Sequence, residues 1–320
     1  MEKIFINQLE VDQEITTYFM VKSLAVKKAS NGKNYLDIVL GDRTGEIAGK
    51  KWDLADEAME KETPIKEGDV IKVMGKVTEF KGMKQLRLAR LRMTNKEDGI
   101  EINDYIKAAP EDPEAMYDFI YGIADSMSDQ ELRILCTSQL VDFKEKLLYY
   151  PAAAKNHHAE MAGLLWHMKR MLLAGEALCG VYTHLDKDLV WCGVIVHDLQ
   201  KMVEIKSNPW GISGGYSFEG KMLGHLVLGV RELDRVMREQ GMGEEKRVMV
   251  EHMVISHHYE PEFGSPVRPL FPEAEMLHYL DVMDAKMYDM EHALQSTKPG
   301  EFSERVWTLN NRNLYKRTDK

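Results

Sequence analysis

Near residue 100 the hydrophobic pattern changes its period, and that change divides the chain before any motif is considered. Residues 16–93 alternate apolar and polar side chains in short runs separated by turn residues, as half-buried strands do. From Glu101 onward apolar residues recur every three to four positions, as on amphipathic helices. The chain therefore reads as multidomain, an all-β unit followed by an all-α unit. With 320 residues, 44% of them hydrophobic, and only 10 prolines, both parts can bury a core and a disordered chain is excluded.

Five strands are expected: Thr16 to Ala25, Tyr35 to Leu40, Glu46 to Trp52, Val70 to Phe80 and Lys84 to Met93. Turns fall at Asn31-Gly32-Lys33, Gly41 to Gly45 and Lys81-Gly82-Met83, and a short helix, Leu54 to Lys61, separates the third strand from the fourth. That order is the order of an OB barrel. In the last strand Leu86 and Leu88 share one parity while Ala89, Leu91 and Met93 share the other, which predicts a β-bulge.

Charge divides along the same line. The net charge is -10, but residues 1–96 hold 18 basic and 15 acidic side chains, which leaves 24 and 37 for the rest. A polyanion should therefore meet the N-terminal part. Lys72 to Lys96 contains eight basic residues against the single acid Glu79. Lys72, Lys76, Lys84, Arg87, Arg90 and Arg92 are candidate contacts for single-stranded nucleic acid, with Tyr18, Phe19, Tyr35, Trp52 and Phe80 as candidate stacking platforms. A solvated barrel face fits the same residues as well.

Asp112-Pro113-Glu114 opens a helix that runs to about Ser126, and Ser128-Asp129-Gln130-Glu131 resembles a capping box for the next. These features give a barrel domain at 1–96, an acidic helical connector at 97–150 and a helical domain at 151–320. Cys136, Cys179 and Cys192 are too few and too scattered for a disulfide framework, and their apolar settings predict buried thiols in a reducing compartment. The first residues lack a signal-peptide run, and no stretch approaches the roughly 18 apolar residues of a membrane span. A cytoplasmic protein without membrane contact is expected.

All eleven histidines lie between residues 157 and 292. His167 sits at the margin of the apolar stripe formed by Met161, Leu164, Leu165, Met168, Met171 and Leu172, where its ring must find a partner. The apolar helix Leu189 to Val196 ends in His197-Asp198, a pair costly to dehydrate unless charge meets it. His225 follows Gly224 in another helix, His257-His258 closes a third, and Asp281 and Asp284 share one face of a fourth. Each histidine taken singly is more often a hydrogen-bonded core residue than a ligand. Together with Asp198 and Asp281 they make an imidazole and oxygen donor set suited to Mn, Fe, Co, Ni or Zn.

Taken in order on successive helices, these residues resemble the HD-domain phosphohydrolases, whose signature is a histidine, then His-Asp, then a distant aspartate. The surrounding residues narrow the likeness. His158, Gly163-Leu164-Leu165-Trp166-His167, His197-Asp198-Leu199-Gln200-Lys201, Leu223-Gly224-His225, Ile255-Ser256-His257-His258, Glu262 to Pro266 and Leu277 to Lys286 resemble the YhaM family of 3'-to-5' exoribonucleases, which also has an OB fold ahead of its HD domain.

The resemblance implies an OB barrel followed by an HD-domain helical bundle. It further implies a two-metal centre, with manganese foremost among the metals. His167, His197, Asp198 and Asp281 would hold one ion, and Asp198 would bridge to a second held by His225, His257 and His258. Lys201 would stand near the phosphate, His158 would contact substrate or serve as leaving-group acid, and Asp284 would orient a ligand from behind. The reaction implied is hydrolysis of single-stranded RNA, and also DNA, to nucleoside 5'-monophosphates.

Two other readings compete. One is an HD-type phosphodiesterase of cyclic or short nucleotides; the other is a catalytically silent nucleic-acid-binding protein, favoured by Gln200 where the family usually has glycine. A homo-oligomer is a weaker expectation, resting on the 21 methionines.

Overall fold

The computed structural model describes residues 3–29, 32–52, 65–153, 158, 160–208, 210–295 and 297–319, with only the backbone at Lys96 and Ile102. The chain forms two compact units, Met1–Lys107 and Ala108–Lys320.

In the first unit, β1 (Glu14–Lys28), β2 (Asn34–Asp42), β3 (Gly45–Lys51), β4 (Val70–Phe80) and β5 (Met83–Met93) close a barrel in the order β1-β2-β3-β5-β4. All neighbours are antiparallel except β3 and β5, which pair in parallel from Ala48/Gln85 to Lys50/Arg87. This is the OB order that the alternation predicts. The expected helix at Leu54 to Lys61 lies outside the described residues. Phe19, Val21, Ile38, Leu40, Ile71, Val73, Val77 and Leu86 fill the interior.

The bulge expected in β5 is present. Met74 faces Arg90 while Gly75 faces Leu88, so Ala89 is the extra residue and the parity of the apolar positions changes there. Gly75 is required opposite it, because a Cβ would stand 2.5 Å from the Arg87 carbonyl oxygen.

The second unit is built from α1 (Pro113–Asp125), α2 (Gln130–Leu147), α3 (Gly163–Val181), α4 (Lys187–Val196), the short α5 (Lys201–Glu204), α6 (Phe218–Glu239), α7 (Glu244–Ser256) and α8 (Pro272–Gln295), with a small hairpin of β6 (Ile205–Ser207) and β7 (Ser213–Tyr216). The helices at 113–147, expected as a connector, share one core with the later helices. Met116, Ile120, Leu135 and Cys136 pack in the same cluster as Leu165, Met168, Val194 and Leu277. Their apolar faces are too large to be left on a linker.

Helix α4 is the axis of this unit. It packs against α2, α3, α7 and α8, and every residue from Trp191 to Gln200 is buried. Gly193 admits α7 at close range, since a Cβ there would stand 2.3 Å from Met253 Cε. All three cysteines are buried thiols. Among the described residues, no helix is long and apolar enough to cross a membrane.

The expected cap of α2 forms differently from a reciprocal box. Asp129 accepts from the Glu131 and Leu132 amides, and Lys246 Nζ lies 2.6 Å from its other oxygen. Burial would raise the Asp129 pKa, but Lys246 and the two amides outweigh it and hold the carboxyl below its ordinary range. The stabilisation is therefore complete above the unfolded value of about 3.9 and fades as pH falls through the folded one. Asp129→Ala should cost about 1 kcal/mol in urea unfolding at pH 7, as a lost N-cap does, with the difference from wild type shrinking as pH falls below about 3.9.

Candidate metal centre

The buried α4 carries its periodicity straight into His197 and Asp198, each only 1% exposed. The Asp198 carboxylate is the hub. Its Oδ2 lies 3.3 Å from His197 Nε2 and 4.0 Å from His167 Nε2, and its Oδ1 lies 3.5 Å from His225 Nε2 and 3.8 Å from His257 Nε2. Asp281 Oδ1 stands 3.3 Å from His167 Nε2. Donor atoms of His167, His197 and Asp198 fall within 4.8 Å of one another, as do those of His225, His257 and His258. All seven candidate ligands are thus placed in two adjoining groups that meet at Asp198.

The rings are aimed from behind. His197 Nδ1 donates to the Val194 carbonyl at 2.8 Å, His257 Nδ1 to the Val254 carbonyl at 2.7 Å and His258 Nδ1 to the Phe263 carbonyl at 2.8 Å. His225 Nδ1 lies 3.0 Å from Glu204 Oε2, and His167 Nδ1 lies 2.7 Å from Asp284 Oδ2. A carbonyl oxygen only accepts, so the proton sits on Nδ1 and the Nε2 lone pair is turned inward.

That geometry tests whether a cation fits. Nε2 of His197, His225 and His257 and Oδ1 of Asp198 are buried with no hydrogen-bond partner among the described residues. Lone pairs facing a carboxylate with no proton between them repel, and a divalent cation is what turns the repulsion into binding. The donor set is a mixture of imidazole and carboxylate, which suits a first-row divalent metal.

The protonation states of His257, His258, Asp198 and Asp281 agree, whereas His167 must give up a proton to ligate. Burial, with His258 and His197 adding to it, pushes the His257 pKa well down, and burial with His225 lowers that of His258, so both rings favour the neutral form that ligates. Burial alone would raise Asp198, yet Lys201 and His197 hold it well below the ordinary carboxylate range. Asp281 is likewise held down against burial by His167. Burial opposes a charge on His167, but Asp281 and Asp284 prevail and carry its pKa up to about 9.

Three candidates behave differently from a simple reading of the sequence. Lys201 is no solvated helix end: it is buried, with Nζ 2.6 Å from Asp198 Oδ2 in an ion contact. His158 is 0% exposed, with Nε2 2.8 Å from Asp284 Oδ2 and its ring against Tyr288, so no surface is left for a substrate contact. Gln200 has φ -76° and ψ -2°, so glycine is not demanded by the backbone.

On the barrel, Lys72 and Arg92 pair with Asp98, Lys76 pairs with Asp12 and Lys84 donates to the Leu9 carbonyl. Arg87 and Arg90 are exposed and without an ion pair among the described residues. Tyr18 and Phe19 are corrected as stacking platforms, because both are buried and the Tyr18 hydroxyl is held by Asp98. Exposed aromatic surface lies instead at Phe80 and at Trp52, which stacks on Tyr35 with centroids 4.6 Å apart.

Two contributors are absent from the residues that the sequence singles out. Arg170 Nε lies 2.5 Å from Asp284 Oδ1, fixing the carboxylate that fixes His167. Its position three residues after His167, on the same helical face, is a usable signal. Glu204 has none, since 21 residues separate it from His225.

A barrel of OB order and a helical unit whose histidines and aspartates converge on a buried His-Asp pair define an HD-type metal-dependent phosphohydrolase with an OB domain. Residues 20–94 match the OB-fold nucleic acid binding domain and residues 164–286 match the HD domain. The chain belongs to the YhaM family of 3'-5' exoribonucleases: it is 38% identical over 307 residues, 96% of this chain and 93% of the relative, to the 3'-5' exoribonuclease YhaM of Geobacillus sp. (strain WCH70). Among solved structures, the second OB-fold domain of replication protein A from Methanococcus maripaludis is 19% identical, covering 30% of this chain and 97% of that one, with a TM-score of 0.25.

Removing the hub should uncouple metal from stability. Wild type should gain about 2.7 kcal/mol of unfolding free energy at a manganese concentration 100 times its Kd. Asp198→Asn should gain almost none, and elemental analysis of the dialysed variant should find background metal. An unchanged metal content would overturn the assignment of Asp198 as a ligand.

Proposed function

We propose that this chain is a 3'-to-5' exoribonuclease that depends on two divalent ions, manganese foremost, and hydrolyses single-stranded RNA to nucleoside 5'-monophosphates. The observation that carries the metal dependence is the set of inward-turned Nε2 atoms around the buried Asp198 carboxylate. Membership of the YhaM family supports the direction and the substrate class.

In this reading His167, His197, Asp198 and Asp281 hold one ion, and His225, His257 and His258 hold the other with Asp198 shared between them. Bound divalent ions supply Lewis acidity, lowering the pKa of water and offsetting charge on phosphoryl oxygens. Lys201, buried against Asp198, is the fixed ammonium assigned to the scissile phosphate. Asp284 holds the His167 proton at Nδ1, and His158 and Arg170 hold Asp284. His158 therefore acts on the ligand shell rather than on the substrate.

The barrel is assigned to the upstream strand. Arg87 and Arg90 are the cations we assign to phosphates, with Trp52 and Phe80 as the surfaces on which bases stack. Lys72, Lys76, Lys84 and Arg92 are spent largely on the barrel's own acids and carbonyl groups.

A 20-mer labelled at its 5' end, incubated with the manganese-loaded protein, should shorten one nucleotide at a time. A cyclic dinucleotide should turn over slowly or not at all; the reverse preference would replace this reading with a phosphodiesterase of small nucleotides. Replacing Arg87 and Arg90 together by alanine should weaken binding of the 20-mer, with the metal content unchanged. Its salt slope should flatten by about 0.7 for each phosphate that the variant no longer neutralises.

A further inference from the structure

The inward-facing histidines are held at Nδ1 in two ways. His197 and His257 each close a helix and donate to the carbonyl three residues back. His225 has no such partner, because it follows a break. Gly224 has φ 71° and ψ 161°, which interrupts α6 one residue before the ring. A left-handed φ of this kind is open to glycine and costly for other residues.

Glu204 takes what the break releases. Its Oε2 lies 3.0 Å from His225 Nδ1, and its Oε1 accepts the His225 backbone N–H at 3.2 Å. One carboxylate therefore receives both N–H groups of a single residue. Glu204 is itself pinned: its backbone oxygen accepts the Ser217 N–H at 2.8 Å, and α6 approaches so closely that a Cβ on Gly220 would stand 2.3 Å from that oxygen.

We propose that Glu204 is a positioning residue that sets the affinity of the second cation site, by fixing the tautomer, the ring direction and the basicity of His225. This rests on the reading of His225, His257 and His258 as ligands of a second ion. A carboxylate behind a ligating imidazole strengthens the ring as a donor more than a neutral carbonyl does. Each site thus has one ring backed by a carboxylate, His167 by Asp284 in the first and His225 by Glu204 in the second. Glu204 also lies three residues beyond Lys201 and six beyond Asp198, so the stretch 197–204 supplies ligands to one ion and orients a ligand of the other.

The test uses the full chain and manganese alone. Equilibrium dialysis should give two ions per wild-type chain, and electron paramagnetic resonance at two equivalents should show an exchange-coupled pair. Glu204→Gln keeps the shape but has one accepting oxygen and no charge. It should leave the affinity for the first ion within about twofold and weaken the second about 10- to 100-fold, the usual cost of losing a partner behind a metal ligand. At two equivalents its spectrum should then report isolated ions, while the metal-free protein melts as wild type does.

Unchanged affinity for the second ion in Glu204→Gln would overturn the proposal. An equal loss at both sites together with a lower melting temperature of the metal-free variant would also overturn it, leaving Glu204 as a clamp on α6. One ion per wild-type chain would instead overturn the two-ion reading on which the proposal stands.

Discussion

A carboxylate that is 1% exposed and ringed by imidazole nitrogens is an unstable arrangement without positive charge, and the helical unit is organised around that single fact. Asp198 is placed by α4, whose residues are buried from Leu189 onward, so the hub cannot move without opening the core. Lys201 lies against one Asp198 oxygen and offsets part of the cost of burying that carboxylate. The other oxygen faces His225 and His257 and has no hydrogen-bond donor among the described residues. Cation binding and core packing are therefore one problem here, solved together by the end of one helix.

The supports behind the rings show how rigid the site is. His197 and His257 use carbonyl groups at helix ends, which carry unsatisfied acceptors in any case. His258 uses the Phe263 carbonyl in the following turn, and its own amide donates to the buried Ser265 hydroxyl. His167 uses Asp284, which is held in turn by His158 and Arg170. Aiming the ligands and satisfying polar atoms are thus achieved by the same hydrogen bonds.

Much of this was legible in the sequence because it is periodic or contiguous. The strand alternation from residue 16 to 93 led to the barrel, and the change of parity after Leu88 marked the Ala89 bulge. Histidines on successive helices led to the two candidate ligand groups, and their pairing with apolar stripes put them in the interior. What stayed hidden depends on contacts between distant segments. Nothing in Lys72 or Arg92 reveals that Asp98 will occupy them, and Tyr18 reads as an exposed aromatic until Asp98 is seen to hold its hydroxyl. Glu204 meets His225 only because Gly224 breaks α6, a backbone event no side-chain pattern announces.

The uneven charge along the chain sets an order of events. Around the hub, Asp198 and Asp281 are held ionised by their neighbours, and Lys201 is the ammonium set against them. His167, whose pKa is carried up to about 9, adds a second positive charge against the two carboxylates, so the site offers a phosphodiester no net attraction. The helical unit as a whole repels a polyanion, since the acids in excess lie after residue 96. Divalent cations would make the site net positive, and a phosphate would then gain by approaching. Arg87 and Arg90, which the proposed reading assigns to the strand, lie in the barrel unit, whereas the candidate metal ligands all lie in the helical unit. In that reading, strand binding and hydrolysis fall to different units of the chain.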